Sequence, residues 1–140
     1  MPNKSLFEVY EKNILEGKLN DWNSADLSVL TNFEINMLVA HVLYRGQEDI
    51  NITYDIPTRD TVIAFKGEMS LQAYDFCKIA NDAYEIMLKE GIGIRKRVTN
   101  DKWEAIVDII RQSDNYSYDI FATDKNPLRA AMMVYLLKFG

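Results

Sequence analysis

Residues 92–110 constrain the fold more than any other stretch of this chain. Ile92–Val98 alternates apolar with charged positions, Ile92 and Ile94 against Arg95 and Arg97. That period of two is the mark of a half-buried strand. Asn100-Asp101 follows as a turn-forming pair. Trp103–Ile110 then alternates again, with Trp103, Ala105, Val107 and Ile109 on one side. A helix also fits this run, through Trp103, Ile106, Val107 and Ile110. The turn before it and its β-branched content favour a strand. A hairpin-like pair of this kind predicts an antiparallel sheet.

The flanking segments supply helices. Ser5 with Glu8 has capping-box spacing and opens a first helix, whose stripe is Phe7, Tyr10 and Ile14 and whose end lies at Glu16-Gly17. Leu19–Asp26, which carries Trp22, reads as a loop. Thr31 with Glu34 predicts a second helix from Thr31 or Asn32 to Tyr44, with Ile35, Leu38, Val39 and Val42 facing inward. Gln47–Asn51 reads as a loop, Ile52–Tyr54 and Thr61–Phe65 as strands, and residues 67–76 as a loop or short turn. Ala80–Glu90 predicts a third helix, with Ala83, Ile86, Met87 and Ile79 on one side and Gly91 as its C-cap. Ser117–Ala122 adds an edge strand. Asn126 and Pro127 open a last helix, Leu128–Lys138, with Ala130, Met133, Val134 and Leu137 as its core stripe. Strand pairs between helices predict an α+β domain, a mostly antiparallel sheet of about four strands with helices on both faces.

Composition narrows the class. At 140 residues, 48% apolar and 26% charged, the chain is an ordinary globular mix of single-domain length. No apolar run approaches the ~20 residues of a membrane helix, and Met1–Ser5 has no apolar signal core, so a secreted or membrane protein is not expected. The single cysteine, Cys77, excludes an intrachain disulfide, and the single histidine, His41, leaves a His/Cys zinc cage short of ligands. No GxGxxG or P-loop occurs, and no cofactor is expected. Residues 1–60 hold 10 acidic and 5 basic residues, whereas residues 61–140 hold 11 of each. An acidic chain is a poor general nucleic-acid binder, and its scattered acids are unlike the dense arrays of a DNA mimic.

Several segments resemble the NinX-like phage proteins. Leu30–Asn36 followed by Val39-Ala40 is similar to that family's opening helix. Phe76-Cys77, then Asn81–Met87 and Gly91-Ile92, resembles its central helix. Trp103-Glu104-Ala105 resembles its strand opener, and Asn126–Met132 its closing helix, the most specific piece. The resemblance spans Leu27 to Leu137 and departs at Tyr84, where tryptophan is expected. It implies a small α-β-α sandwich encoded by a tailed phage or prophage, with residues 1–25 as an N-terminal helical extension and 26–140 as the domain. It carries no catalytic position over.

The residues themselves offer few chemical sites. His41 lacks a serine or cysteine nucleophile motif and reads as structural. Cys77 stands before a helix, where a thiol can be activated, yet a buried core role fits it better. Asp55, Asp60, Glu68 and Asp75 flank the first strand pair and match no metal spacing. Arg95 and Arg97 share a strand face, with Lys96 pointing away, and can fork onto a phosphate or a partner's carboxylate. The segment Asn126–Arg129 reads as a lock between the last helix and the sheet. Among the aromatics, Tyr116 and Tyr118 are candidates for a contact surface.

The expectation is therefore a non-enzymatic phage accessory protein in the host bacterial cytoplasm. It binds a host protein, as in countering a bacterial defence, with Arg95, Arg97, Tyr116 and Tyr118 as contact residues. The alternative is a binder that sequesters a small molecule or nucleotide signal. A carboxylate hydrolase ranks third and requires two buried, convergent acids in one cleft. The N-terminal stripe is expected to dock on its own domain, with a homodimer as the alternative.

Overall fold

The computed structural model describes residues 5–54, 60–110, 113–115 and 117–140. Its elements run α1 (Leu6–Leu15), α2 (Ser24–Ser28), α3 (Asn32–Leu43), β1 (Ile50–Tyr54), β2 (Val62–Lys66), β3 (Met69–Tyr74), α4 (Ala80–Glu90), β4 (Gly93–Lys96), β5 (Trp103–Ile110), β6 (Ser117–Asp124) and α5 (Pro127–Phe139). The class is α+β. Among the described residues the six strands divide into two three-stranded antiparallel sheets, β1-β2-β3 and β4-β5-β6, where one sheet of about four strands was expected.

The first sheet packs on α3, α3 packs on α5, and α5 packs on the second sheet. The two inner helices are buried on nearly every side. Eight consecutive residues of α5, Arg129–Leu136, are buried, and so are Ile35–Ala40 of α3. A helix apolar all round belongs in a core. The single stripe expected for α5 thus widens to its whole circumference, and Leu137 is only half-buried.

Local chemistry explains the elements that the pattern predicted. Thr31 Oγ1 accepts from Glu34 N at 3.1 Å, and the Glu34 carboxylate accepts from Thr31 N at 2.9 Å, a complete capping box. On α1 the Ser5 hydroxyl accepts from Glu8 N at 3.2 Å, which is one half of the expected box. Gly91 ends α4 in the left-handed region at φ 71°. Asn126 Oδ1 accepts from Leu128 N and Arg129 N, with Pro127 at the first turn of α5.

Four expectations change. A short helix, α2, starts within the expected loop, capped reciprocally by Asn23 and Asp26. β1 begins at Ile50, inside the loop expected over Gln47–Asn51. The loop expected over residues 67–76 contains β3, joined to β2 by a two-residue loop with Gly67 at φ 61°. Glycine in that first position suits a tight hairpin. Ile79, expected on the buried side of α4, is 47% exposed, because it precedes the helix at its cap position.

The N-terminal stripe docks on its own chain. Tyr10 and Ile14 are buried, α1 packs on α3, and Tyr10 meets Trp22 edge-on at 4.5 Å. Trp22 Nε1 donates to Leu136 O, and Asn20 donates twice to Gly140 O, tying this segment to the end of α5. Among the described residues, no helix is long and apolar enough to cross a membrane.

Candidate functional site

A cleft of about 680 Å³ lies between β3 and the start of α4. Asp60, Thr61, Tyr74, Asp75, Lys78 and Asp82 supply its polar lining. Behind this lining stands Asn36, a fully buried asparagine on α3 that bonds to two of its residues. Asn36 Nδ2 donates to Asp75 Oδ1 at 2.9 Å and to Asp60 O at 2.8 Å, while its Oδ1 accepts from Cys77 N at 3.1 Å. Asp82 Oδ2 accepts from Asp75 N at 2.9 Å, and Asn126 Nδ2 donates to Cys77 O at 2.6 Å. Every polar group of the Asn36 side chain is thus used, as a buried amide requires.

Burial shapes the titrating groups here. Loss of water pushes the Asp75 carboxyl above its ordinary value, against the lowering effect of the Asn36 hydrogen bond. Burial pushes the Cys77 thiol up to about 12. At 1% exposure, Cys77 is a core residue with an inert thiol. Tyr74 is raised by burial and then by its hydroxyl contact with Tyr44, and its ring stacks on the fully buried Phe76 at 4.7 Å.

Of the four acids singled out in the sequence, Asp60 and Asp75 converge on this cleft. Glu68 stands in the β2–β3 turn, and Asp55 lies outside the described residues. Asp75 is buried, whereas Asp60 and Asp82 are half-exposed and Asp82 is engaged on the backbone. A second buried carboxylate, which the hydrolase reading requires, is not among the described lining residues. Among the described residues, no three His, Cys, Asp or Glu side chains are placed to hold a metal ion.

Arg95 and Arg97 do share a face, and both engage one carboxylate. Glu104 lies directly across from Arg95 on β5 and is only 5% exposed. Its Oε1 accepts from Arg95 Nε and Nη2 at 2.9 and 2.8 Å, and its Oε2 accepts from Arg97 Nη1 at 2.9 Å. The forks that could hold a phosphate therefore already hold an internal anion, so a nucleotide would have to compete with Glu104. Lys96 points to the other face, paired with Asp101 at 2.7 Å. Tyr118 is 43% exposed on β6, and Tyr116 lies outside the described residues. His41 Nε2 meets Glu11 Oε2 at 2.9 Å and fastens α1 to α3.

The segment Asn126–Arg129 is the lock expected, with wider reach. Arg129, 7% exposed, pairs with Asp124 at 3.4 Å, donates to Asn32 Oδ1 at 2.8 Å, and collects the carbonyls of Leu27, Ser28 and Leu30. It ties the end of β6 to the α2–α3 junction. Sequence reasoning missed Asn36 and Phe121. Asn36 carried a signal, a lone amide inside the apolar run Ile35–Ala40. Phe121, 56% exposed on β6, carried none, because an isolated aromatic in a strand reads as core.

Three of the quoted motif segments, Leu30–Asn36, Phe76-Cys77 and Asn126–Met132, thus meet in two interior clamps, one around Asn36 and Cys77 and one around Arg129. Residues 26–138 match the family model described as Bacteriophage P22, NinX. No curated protein and no solved structure matches the chain. With more than half of its length matched, and with its motif residues carrying the packing of its elements, the chain belongs to the NinX family of bacteriophage proteins.

Proposed function

We propose that this phage protein is a non-enzymatic accessory factor that binds a host bacterial protein in the cytoplasm, and that the partner docks along β3. One observation carries this reading. β3 is an edge strand, Met69–Ala73 are all exposed, and the run Met69–Tyr74 contains no charge and no proline. Natural edges are guarded by such residues, and an unguarded edge pairs with a strand from another chain. Asp60 and Asp82 in the adjoining cleft favour a partner segment that carries lysine or arginine. Neutralising a defence protein is the case that asks only for capture and for no chemistry from this chain.

Affinity capture from host lysate tests it, with the wild type beside Met69→Lys/Leu71→Lys. Both side chains are exposed, so the fold should tolerate the change. The expected result is a host protein retained by the wild type across several salt levels and lost by the variant. Nothing above background, or equal retention by both proteins, overturns the reading.

A further inference from the structure

The second sheet has two faces of different character. Ala105, Val107 and Ala122 are buried on the face toward α5. The opposite face presents Glu104, Ile106 and Asp108 along β5, with Thr123, Phe121 and Asp119 across from them on β6. Charge is graded along this face. At one end Arg95 and Arg97 share Glu104, which leaves one positive charge in excess. At the other, Asp108 and Asp119 stand directly opposed, with no basic partner among the described residues. Like charges directly opposite destabilise a sheet. Between the ends lie Ile106 and Phe121, the latter 56% exposed. Gly93, across from Ile106 on β4, adds no side chain there. Ile106 is two residues from Glu104 and two from Asp108, about 7 Å each way along the strand.

A face that is positive at one end, apolar at its midpoint and negative at the other is complementary to itself. We propose that it is the interface of a symmetric dimer, formed with a second copy of this chain about a two-fold axis crossing the strands at Ile106 and Phe121. The axis reverses the strand direction. The arginine end of each copy then lies over the carboxylate pair of the other, and the contact occurs twice by symmetry. Phe121 and Ile106 lose water at the centre, where large apolar side chains contribute most to binding. The dimer brings cations to the opposed Asp108 and Asp119, which meet none among the described residues. It leaves β3, at the far side of the helical pair, open for another partner.

Solution mass across concentration, by sedimentation velocity, tests this on the full chain. The wild type should pass from 16.2 kDa toward twice that mass as concentration rises, and more salt should weaken the association. Phe121→Gln should remain a monomer with its circular dichroism unchanged. Asp119→Lys should weaken association by about tenfold or more without lowering the melting temperature of the monomer, since it removes a repulsion within the sheet. A wild type that is monomeric up to about 1 mM overturns the proposal, as does a Phe121→Gln protein that dimerises like the wild type. Should Phe121→Gln fail to fold, undiminished association of Asp119→Lys overturns it alone.

Discussion

The two sheets have the same strand count and the same antiparallel order, yet their edges differ. β1 and β3, the edges of the first sheet, contain no charged residue, while β4 carries Arg95 and Lys96 and β6 carries Asp119 and Asp124. Charges on an edge discourage strand addition. The proposed dimer uses a face of the second sheet, and the proposed host partner an edge of the first. Their attachments differ in kind as well. Asn36, a neutral amide, holds the ends of the first sheet by bonding to groups just before β2 and just after β3. Arg129, an ion, holds the end of the second sheet through Asp124. One polymer thus solves the same packing problem with a neutral amide at the centre of one network and a cation at the centre of the other.

Removing either clamp should break this pairing unequally. Arg129→Ala should cost the most, about 3–5 kcal/mol, because it strands Asp124 and three backbone carbonyls in a water-poor junction. Asn36→Ala should cost about 2–3 kcal/mol, since its partners are a carboxylate near the cleft and two backbone groups. Urea unfolding at neutral pH reads both. If Asn36→Ala matches or exceeds Arg129→Ala, the neutral clamp is the stronger, and the charged one serves orientation more than stability. A smaller effect belongs to the first sheet's edge. Leu71→Lys should change stability by no more than about 0.5 kcal/mol, because the side chain is 43% exposed. A larger loss would mean that β3 is packed against something other than solvent.

The same contrast explains what the sequence made legible. α3, α4 and α5 were readable because their caps are local: Thr31 with Glu34, Gly91, and Asn126 with Pro127 all act within four residues. β5 was readable because one of its faces is wet and the other dry. β3 was not, because it lies at an exposed edge, and Met69, Leu71 and Ala73 place apolar side chains toward water. The division into two sheets was also hidden, since pairing partners are chosen by packing against α3 and α5 rather than by pattern within a strand. Of the candidate site, Arg95 and Arg97 were correctly placed on one face. Their target, Glu104, lies across the hairpin, and no spacing along β4 names it. Asn36 reaches 39 and 41 residues ahead, to Asp75 and Cys77.

The smallest effects compare two carboxyls, one from each side of the molecule, that are both raised but for different reasons. Asp75 is raised chiefly by burial, and Asp119 chiefly by its hydrogen bond with Asp108. A carboxyl raised in the folded state supports the fold fully below its unfolded value of about 3.9, and that support is lost as pH rises through the higher folded value. At pH 7 both acids therefore oppose folding. Asp75→Asn keeps an acceptor for Asn36, and Asp119→Asn removes the like-charge pair, so each should raise the melting temperature at neutral pH. Both gains should disappear as pH falls below the ordinary carboxylate range. Salt then separates the causes. At 1 M, charges interact over only about 3 Å, so the like-charge part of the gain from Asp119→Asn should fade, whereas a penalty from lost hydration is not screened and the gain from Asp75→Asn should remain. The measurement belongs in a Phe121→Gln background, where the proposed dimer should not form and no partner's arginine should meet Asp119. Equal salt responses would show that the two carboxyls share one cause, and that the contrast between a buried first-sheet site and an exposed second-sheet face does not extend to their protons.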